Sequence, residues 1–145
     1  MNKAFKLYNG NCLGLMRDLP DASIDLILCD LPYGTTKCPW DNVLPFNLLW
    51  DQYTRIIKPS RSIVLFGTEP FSSRLRLSNI DHYKYDWYWK KTRPGGFVNA
   101  KLKPLKDIET ISVFSSGSTA NGAYSNMLYI PQGTIECNSI WKRKN

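Results

Sequence analysis

The chain has 145 residues, a formal net charge of +7, 43% hydrophobic residues and 21% charged residues. That is the length of one ordinary domain, and the composition excludes a disordered or collagen-like chain. Its apolar runs fall short of the about 20 residues a membrane span needs, and the opening Met1-Asn2-Lys3-Ala4-Phe5-Lys6-Leu7 lacks the apolar core of a secretory signal.

In chain order, Leu7-Tyr8 reads as the end of a short strand, and residues 11–18 as one or two helical turns carrying Leu13, Leu15 and Met16. After a turn at Pro20-Asp21-Ala22-Ser23 comes the run Ile24-Asp25-Leu26-Ile27-Leu28-Cys29. Such a run predicts a parallel strand buried on both faces, with Cys29 a small buried hydrophobe. It stops at Asp30-Leu31-Pro32-Tyr33-Gly34, and a loop with Trp40-Asp41 follows. Phe46, Leu48, Leu49, Tyr53, Ile56 and Ile57 fall at helical spacing between Pro45 and Lys58. Pro59-Ser60 breaks that helix, and Ser62-Ile63-Val64-Leu65-Phe66 predicts a second buried strand closed by Gly67. Residues 70–80 read as another helix. Tyr83, Tyr85, Trp87 and Trp89 then alternate with Lys84, Asp86, Tyr88 and Lys90, the period of a strand with core aromatics on one face. Residues 108–114 give a last strand, and the Ser-, Gly- and Asn-rich stretch after Phe114 is irregular. The alternation predicts an α/β sheet with helices on its faces over residues 1–115, followed by an irregular basic tail over 116–145.

Charge is unevenly spread. Residues 1–54 hold four basic and six acidic side chains, residues 55–145 fifteen and six. A basic second part suits a polyanion, nucleic acid first, or simply a solvated surface. Within 84–106, seven Lys or Arg face one acid among five aromatics, which makes Lys91, Arg93, Lys101 and Lys103 candidate DNA contacts. Cys12, Cys29, Cys38 and Cys137 form no C-x-x-C pair, and His82 is the lone histidine, so no metal site is expected and reduced cytoplasmic thiols are the simplest account.

Ligands of such sheets bind beyond the carboxyl ends of the strands, which is where Asp30 stands. Asp30-Leu31-Pro32-Tyr33 resembles the D-P-P-Y motif of amino-group (N4/N6) DNA methyltransferases. The likeness extends in order through Leu7-Tyr8-Asn9-Gly10-Asn11-Cys12, Ser23-Ile24-Asp25-Leu26-Ile27, Trp40-Asp41, Arg55-Ile56-Ile57-Lys58-Pro59, Phe66-Gly67-Thr68-Glu69-Pro70-Phe71, Trp89-Lys90-Lys91, Gly96-Phe97 and Asn99-Ala100-Lys101. It covers roughly residues 6–135, and the motif order is similar to the β-type phage and bacterial members. The resemblance implies a Rossmann-like sheet, with residues 1–115 as the catalytic half and 116–145 as the start of a recognition region, S-adenosylmethionine as cofactor, double-stranded DNA as partner, a place in restriction-modification, and the cytoplasm of a bacterium or phage-infected host. It also implies adenine N6 as target, because cytosine-N4 relatives more often have Ser where Asp30 stands.

The chemistry accounts for the residue types. The exocyclic amine of adenine is a poor nucleophile because its lone pair is delocalised into the ring. By the resemblance, Asp30 and the Leu31 carbonyl accept its two N–H groups and localise that pair. Pro32 keeps the turn rigid, and Tyr33 stacks on a base flipped from the duplex. Asn11 and Cys12, with Asp30, fall near the cofactor. Leu31 replaces the family's usual Pro, and Asn11 its usual Asp. A glycine-rich F-x-G-x-G loop has no convincing copy, since Phe66-Gly67-Thr68 and Ser116-Gly117-Ser118 do not match it. The chain therefore resembles the N-terminal half of a methyltransferase, calling for a complementing half or a second copy. The rival expectation is a non-catalytic remnant that binds DNA or a partner chain.

Overall fold

The computed structural model describes residues 5–135; Cys137 and the rest of the tail lie outside the described residues. Four strands, β1 (Ile24–Asp30), β2 (Ile57–Gly67), β3 (Tyr83–Gly95) and β4 (Lys106–Phe114), form one sheet in the order β1-β2-β4-β3. β1 and β2 are parallel, and β4 runs antiparallel to both β2 and β3. Three helices accompany them: α1 (Cys12–Leu15), extended by a 3-10 turn over Met16–Asp18, α2 (Phe46–Ile56) and α3 (Phe71–Leu77).

α2 is the crossover that parallel β1 and β2 require. It buries Leu49, Trp50, Tyr53 and Ile56, a spacing of one, three and three residues that keeps them on one stripe. It ends when Ile57 turns extended at φ −72°, ψ 138°. α3 adds Phe71 and Leu75. Both helices pack on the same side of the sheet, against Ile63, Leu65 and Phe114, with Leu31 from the end of β1 in the same cluster. The Trp50 ring lies 4.8 Å from that of Phe114 and its indole N–H donates to Ser78 Oγ at 2.8 Å, so the large aromatic is buried with its polar atom satisfied.

The other side carries no helix among the described residues. There Leu26 and Leu28 are 54% and 62% exposed, and Trp87 and Trp89 52% and 50%. The expectation that β1 is buried on both faces is thus corrected. Ile27 and Cys29 pack toward the helices, whereas Leu26 and Leu28 face a shallow groove roofed by Met127, Leu128, Tyr129 and Ile130. Trp87 and Trp89 belong to this uncovered face, not to the core. β1 is also an edge: β2 is its one partner among the described residues.

Other element boundaries differ for local reasons. Leu7-Tyr8 is not a strand, and both residues are exposed. β2 starts at Ile57 rather than Ser62, because Pro59 and Ser60 (φ 59°) sit in a bulge. Ile24 pairs with Ile57 and Leu26 already with Ser62. The bulge lets a proline stand inside a strand without breaking the ladder. β3 runs on to Gly95 and β4 begins at Lys106, so the hairpin is longer than the alternating aromatics indicate. Residues 115–135 contain no helix or strand beyond an isolated bridge between Ser118 and Asn126, as the composition led us to expect.

This one-sided packing has a direct stability test. Leu65, fully buried beneath the helices, should cost about 2–5 kcal/mol on truncation to Ala. Leu28→Ala, on the uncovered face, should cost less than about 1 kcal/mol. Urea unfolding of both variants by circular dichroism checks the contrast.

Candidate active site

Strand pairing aligns Asp30, Phe66, Ile111 and Trp87 in one row across the sheet. β1 and β2 end at or just past this row, whereas β3 continues from Tyr88 to Gly95. Since β3 runs in the same direction as β1 and β2, the β3–β4 hairpin projects beyond the carboxyl edge on which Asp30 stands.

Asp30, Leu31, Pro32 and Tyr33 are brought together with Thr35, Thr36, Trp40 and Asp41 around an open cavity of about 280 Å³. Leu31 is buried, 6% exposed, and plugs the turn into the helix-side core. Asp30 is exposed, and the Tyr33 hydroxyl donates to its Oδ1. The Tyr33 ring packs on Phe71 with centroids 5.0 Å apart. Burial first, and then the bond to Asp30, push the Tyr33 phenol up, so it remains a donor to the carboxylate across the ordinary pH range.

The loop that follows is organised by a residue to which the sequence reading gave no task. Asp41 is buried, 7% exposed. Its Oδ1 accepts from Gly34 N–H at 2.8 Å, and its Oδ2 accepts from Thr35 N–H at 2.9 Å, Thr36 N–H at 2.7 Å and Thr36 Oγ1 at 2.7 Å. Gly34 has φ +69°, and a Cβ there would meet Val43 Cγ2 at 3.0 Å, so glycine is required where the chain turns back. The Thr36 hydroxyl and then the Gly34 amide, ahead of the other backbone donors, hold the Asp41 carboxyl down to about 2. The sequence signal was present in Gly34-Thr35-Thr36, three amides and a hydroxyl just ahead of a lone acid.

Asn11 and Cys12 are not in this cavity. Asn11 caps α1, its Oδ1 accepting from Leu13 N–H at 3.0 Å. Cys12 lines a separate cavity of about 270 Å³ with Tyr8, Gly10, Leu15, Met16, Asp18 and Leu19. Of the cations singled out, Lys91 is ion-paired with Glu109, while Arg93, Lys101 and Lys103 are exposed on the projecting hairpin and its loop. Phe97, Val98 and Leu102 are exposed at the same tip, 79%, 80% and 85%. Among the described residues no group of His, Cys, Asp and Glu could hold a metal ion, and no helix is long and apolar enough to cross a membrane.

A mixed sheet with an acidic turn at the carboxyl end of a parallel strand is shared with known proteins. The type II methyltransferase M.BamHI of Bacillus amyloliquefaciens is 30% identical over 80 residues, 48% of this chain but 19% of its own length. The solved cytosine-N4-specific PvuII DNA methyltransferase superimposes with a TM-score of 0.54 at 20% identity, over 75% of this chain and 48% of that one. The M1.HpyAVI–SAM complex gives 0.54 at 17% identity, over 82% and 63%. No family model matches the chain. The chain is similar over part of its length to type II methyltransferases, and its four-stranded sheet shares the Rossmann-like fold of part of the solved DNA methyltransferases. It spans about a fifth of the length of the curated relative and about half to two-thirds of the solved ones.

The Asp41 clasp gives a pH prediction. A carboxyl lowered by folding stabilises the loop fully above its unfolded value near 4 and loses that effect as pH falls toward about 2. The Thr35 and Thr36 amides should therefore keep their exchange protection between pH 6 and pH 4 and lose it only below pH 3. Hydrogen exchange read by NMR checks this, and loss of protection already at pH 5 contradicts it.

Proposed function

We propose that this chain forms the amine-receiving part of a DNA methyltransferase whose target is adenine N6. The observation that carries the reading is the placement of Asp30 and the Leu31–Tyr33 turn around an open cavity at the carboxyl edge, beside a basic projecting hairpin. Asp30 would accept one N–H of the amine and the Leu31 carbonyl the other, localising the nitrogen lone pair. Tyr33 steadies the carboxylate through its hydroxyl and presents an aromatic wall to the base. The carboxylate at this position favours adenine over cytosine, the target of the PvuII enzyme.

S-adenosylmethionine, bound in the M1.HpyAVI structure, would supply an electrophilic methyl group. The described residues fit that cofactor in part: Asp30 borders the cavity, but Asn11 caps α1 and Cys12 lines a different cavity. The exposed edge of β1 and the uncovered face bearing Leu26 and Leu28 are where further sheet and helix would complete a binding site. We therefore assign cofactor capture to an assembly in which a complementing half, or a second copy, pairs with β1. Double-stranded DNA would be met by Arg93, Lys101 and Lys103 on the hairpin, with Lys91 set back by its bond to Glu109.

In the methylating assembly, Asp30→Ala should lower transfer from S-adenosylmethionine to DNA on the order of a hundredfold or more, with Asp30→Asn milder because one acceptor oxygen remains. Thermal melting should be little changed, since the carboxylate is exposed. Equal rates for wild type and Asp30→Ala would mean that the turn is structural only. DNA affinity of the full chain should fall by orders of magnitude between low and moderate salt; a flat anisotropy profile would remove the hairpin from the DNA-binding surface.

A further inference from the structure

The proposed function accounts for Asp30 to Tyr33 but not for the most heavily hydrogen-bonded carboxylate beside them. Asp41 accepts four hydrogen bonds, all from the three residues that follow Tyr33. Its own backbone N–H donates to Cys38 O at 3.0 Å, and Asn42 Nδ2 donates to Pro39 O at 2.7 Å. The segment from Gly34 to Asn42 is therefore a ring closed on itself. Tyr33 enters that ring and Trp40 stands next to its clasp. Both line the 280 Å³ cavity, and the Trp40 side chain, 73% exposed, reaches no buried position.

We propose that Asp41 is a positioning residue, whose carboxylate ties the backbone beyond Tyr33 to the base of Trp40 and so sets the gap between these two aromatic walls, into which a planar nucleobase enters. The inference rests on the function proposed above for its ligand, but the clasp itself can be tested without it. The geometry demands an ionised acid. Gly34 N–H is aimed at one oxygen, and the Thr35 and Thr36 amides at the other. An amide in place of the carboxylate would turn its NH2 toward a backbone N–H whichever way it lay. A purely local structural role would leave Tyr33 packed on Phe71 at 5.0 Å after the clasp is opened. A positioning role would not.

The test uses the full chain and the variants Asp41→Asn and Thr36→Val. One arm is the nuclear Overhauser contact between the Tyr33 and Phe71 rings, with the Trp50–Phe114 contact as the control for an intact core. The other arm compares binding of a twelve-nucleotide abasic single strand with the same strand carrying one adenine, which isolates the contribution of one base from that of the phosphates. We expect Asp41→Asn to keep the Trp50–Phe114 contact, lose the Tyr33–Phe71 contact, and lose a single-adenine increment on the order of tenfold. Thr36→Val, which removes one of the four donors, should lose part of that increment. Asp41→Asn retaining both the ring contact and the increment overturns the proposal. Should Asp41→Asn also lose the core contact, Thr36→Val decides by the same two readouts. A wild type with no single-adenine increment would count against base capture as the function, while the ring contact would still decide whether Asp41 holds the wall in place.

Discussion

The structure depends on packing that is one-sided. α2 and α3 seal one face of the sheet through Leu49, Trp50, Tyr53, Phe71 and Leu75 against Ile63, Leu65 and Phe114. Each fully buried apolar side chain of that layer contributes roughly 1.5–3 kcal/mol. That layer fixes the crossover between parallel β1 and β2, and with it the level at which β1 ends. Leu31 is drawn into the same cluster, so the residue after Asp30 is anchored and Asp30 is left at the rim, exposed. A carboxylate in a fixed place, facing water, is a consequence of burying its neighbour.

The uncovered face follows from the same arrangement. Helices on one side leave Leu26, Leu28, Trp87 and Trp89 half in water, and β1 keeps a free edge among the described residues. The β1–β2 pair is parallel, a pairing normally covered on both faces, whereas the antiparallel β2-β4-β3 part can leave one face to water. The matched stretches of M.BamHI and of the solved methyltransferases are a fraction of those chains.

Much of this was legible in the sequence where a local signal agreed with the tertiary one. The crossover helix, the irregular stretch after Phe114 and the position of Asp30 at a strand end all follow from period and punctuation. Sequence failed where the environment of a residue is decided by what lies across from it. Leu26 and Leu28 read as buried because an apolar run has no sidedness of its own. Trp87 and Trp89 alternate correctly, but alternation does not say which face is covered. Pro59 reads as a breaker, whereas a bulge against Ile24–Leu26 absorbs it. At the candidate site, the turn Asp30 to Tyr33 was found by motif and strand end. Asp41 was given no role, because three of its four donors are backbone amides, and the Thr36 hydroxyl is the one side chain that marks it. Asn11 and Cys12 were placed near the cofactor by resemblance; Asn11 caps α1, and Cys12 lines a cavity separate from that of Asp30.

The central claim is that the cavity at Asp30 receives the exocyclic amine of adenine. It is tested most directly by titrating the full chain into single-stranded DNA labelled with 15N at either adenine N6 or cytosine N4 and following the amino resonances. The account predicts that the adenine amine shifts on binding and that the shift disappears in Asp30→Ala, while the cytosine amine is unmoved. A shift confined to cytosine N4, or an adenine shift that survives Asp30→Ala, would contradict it.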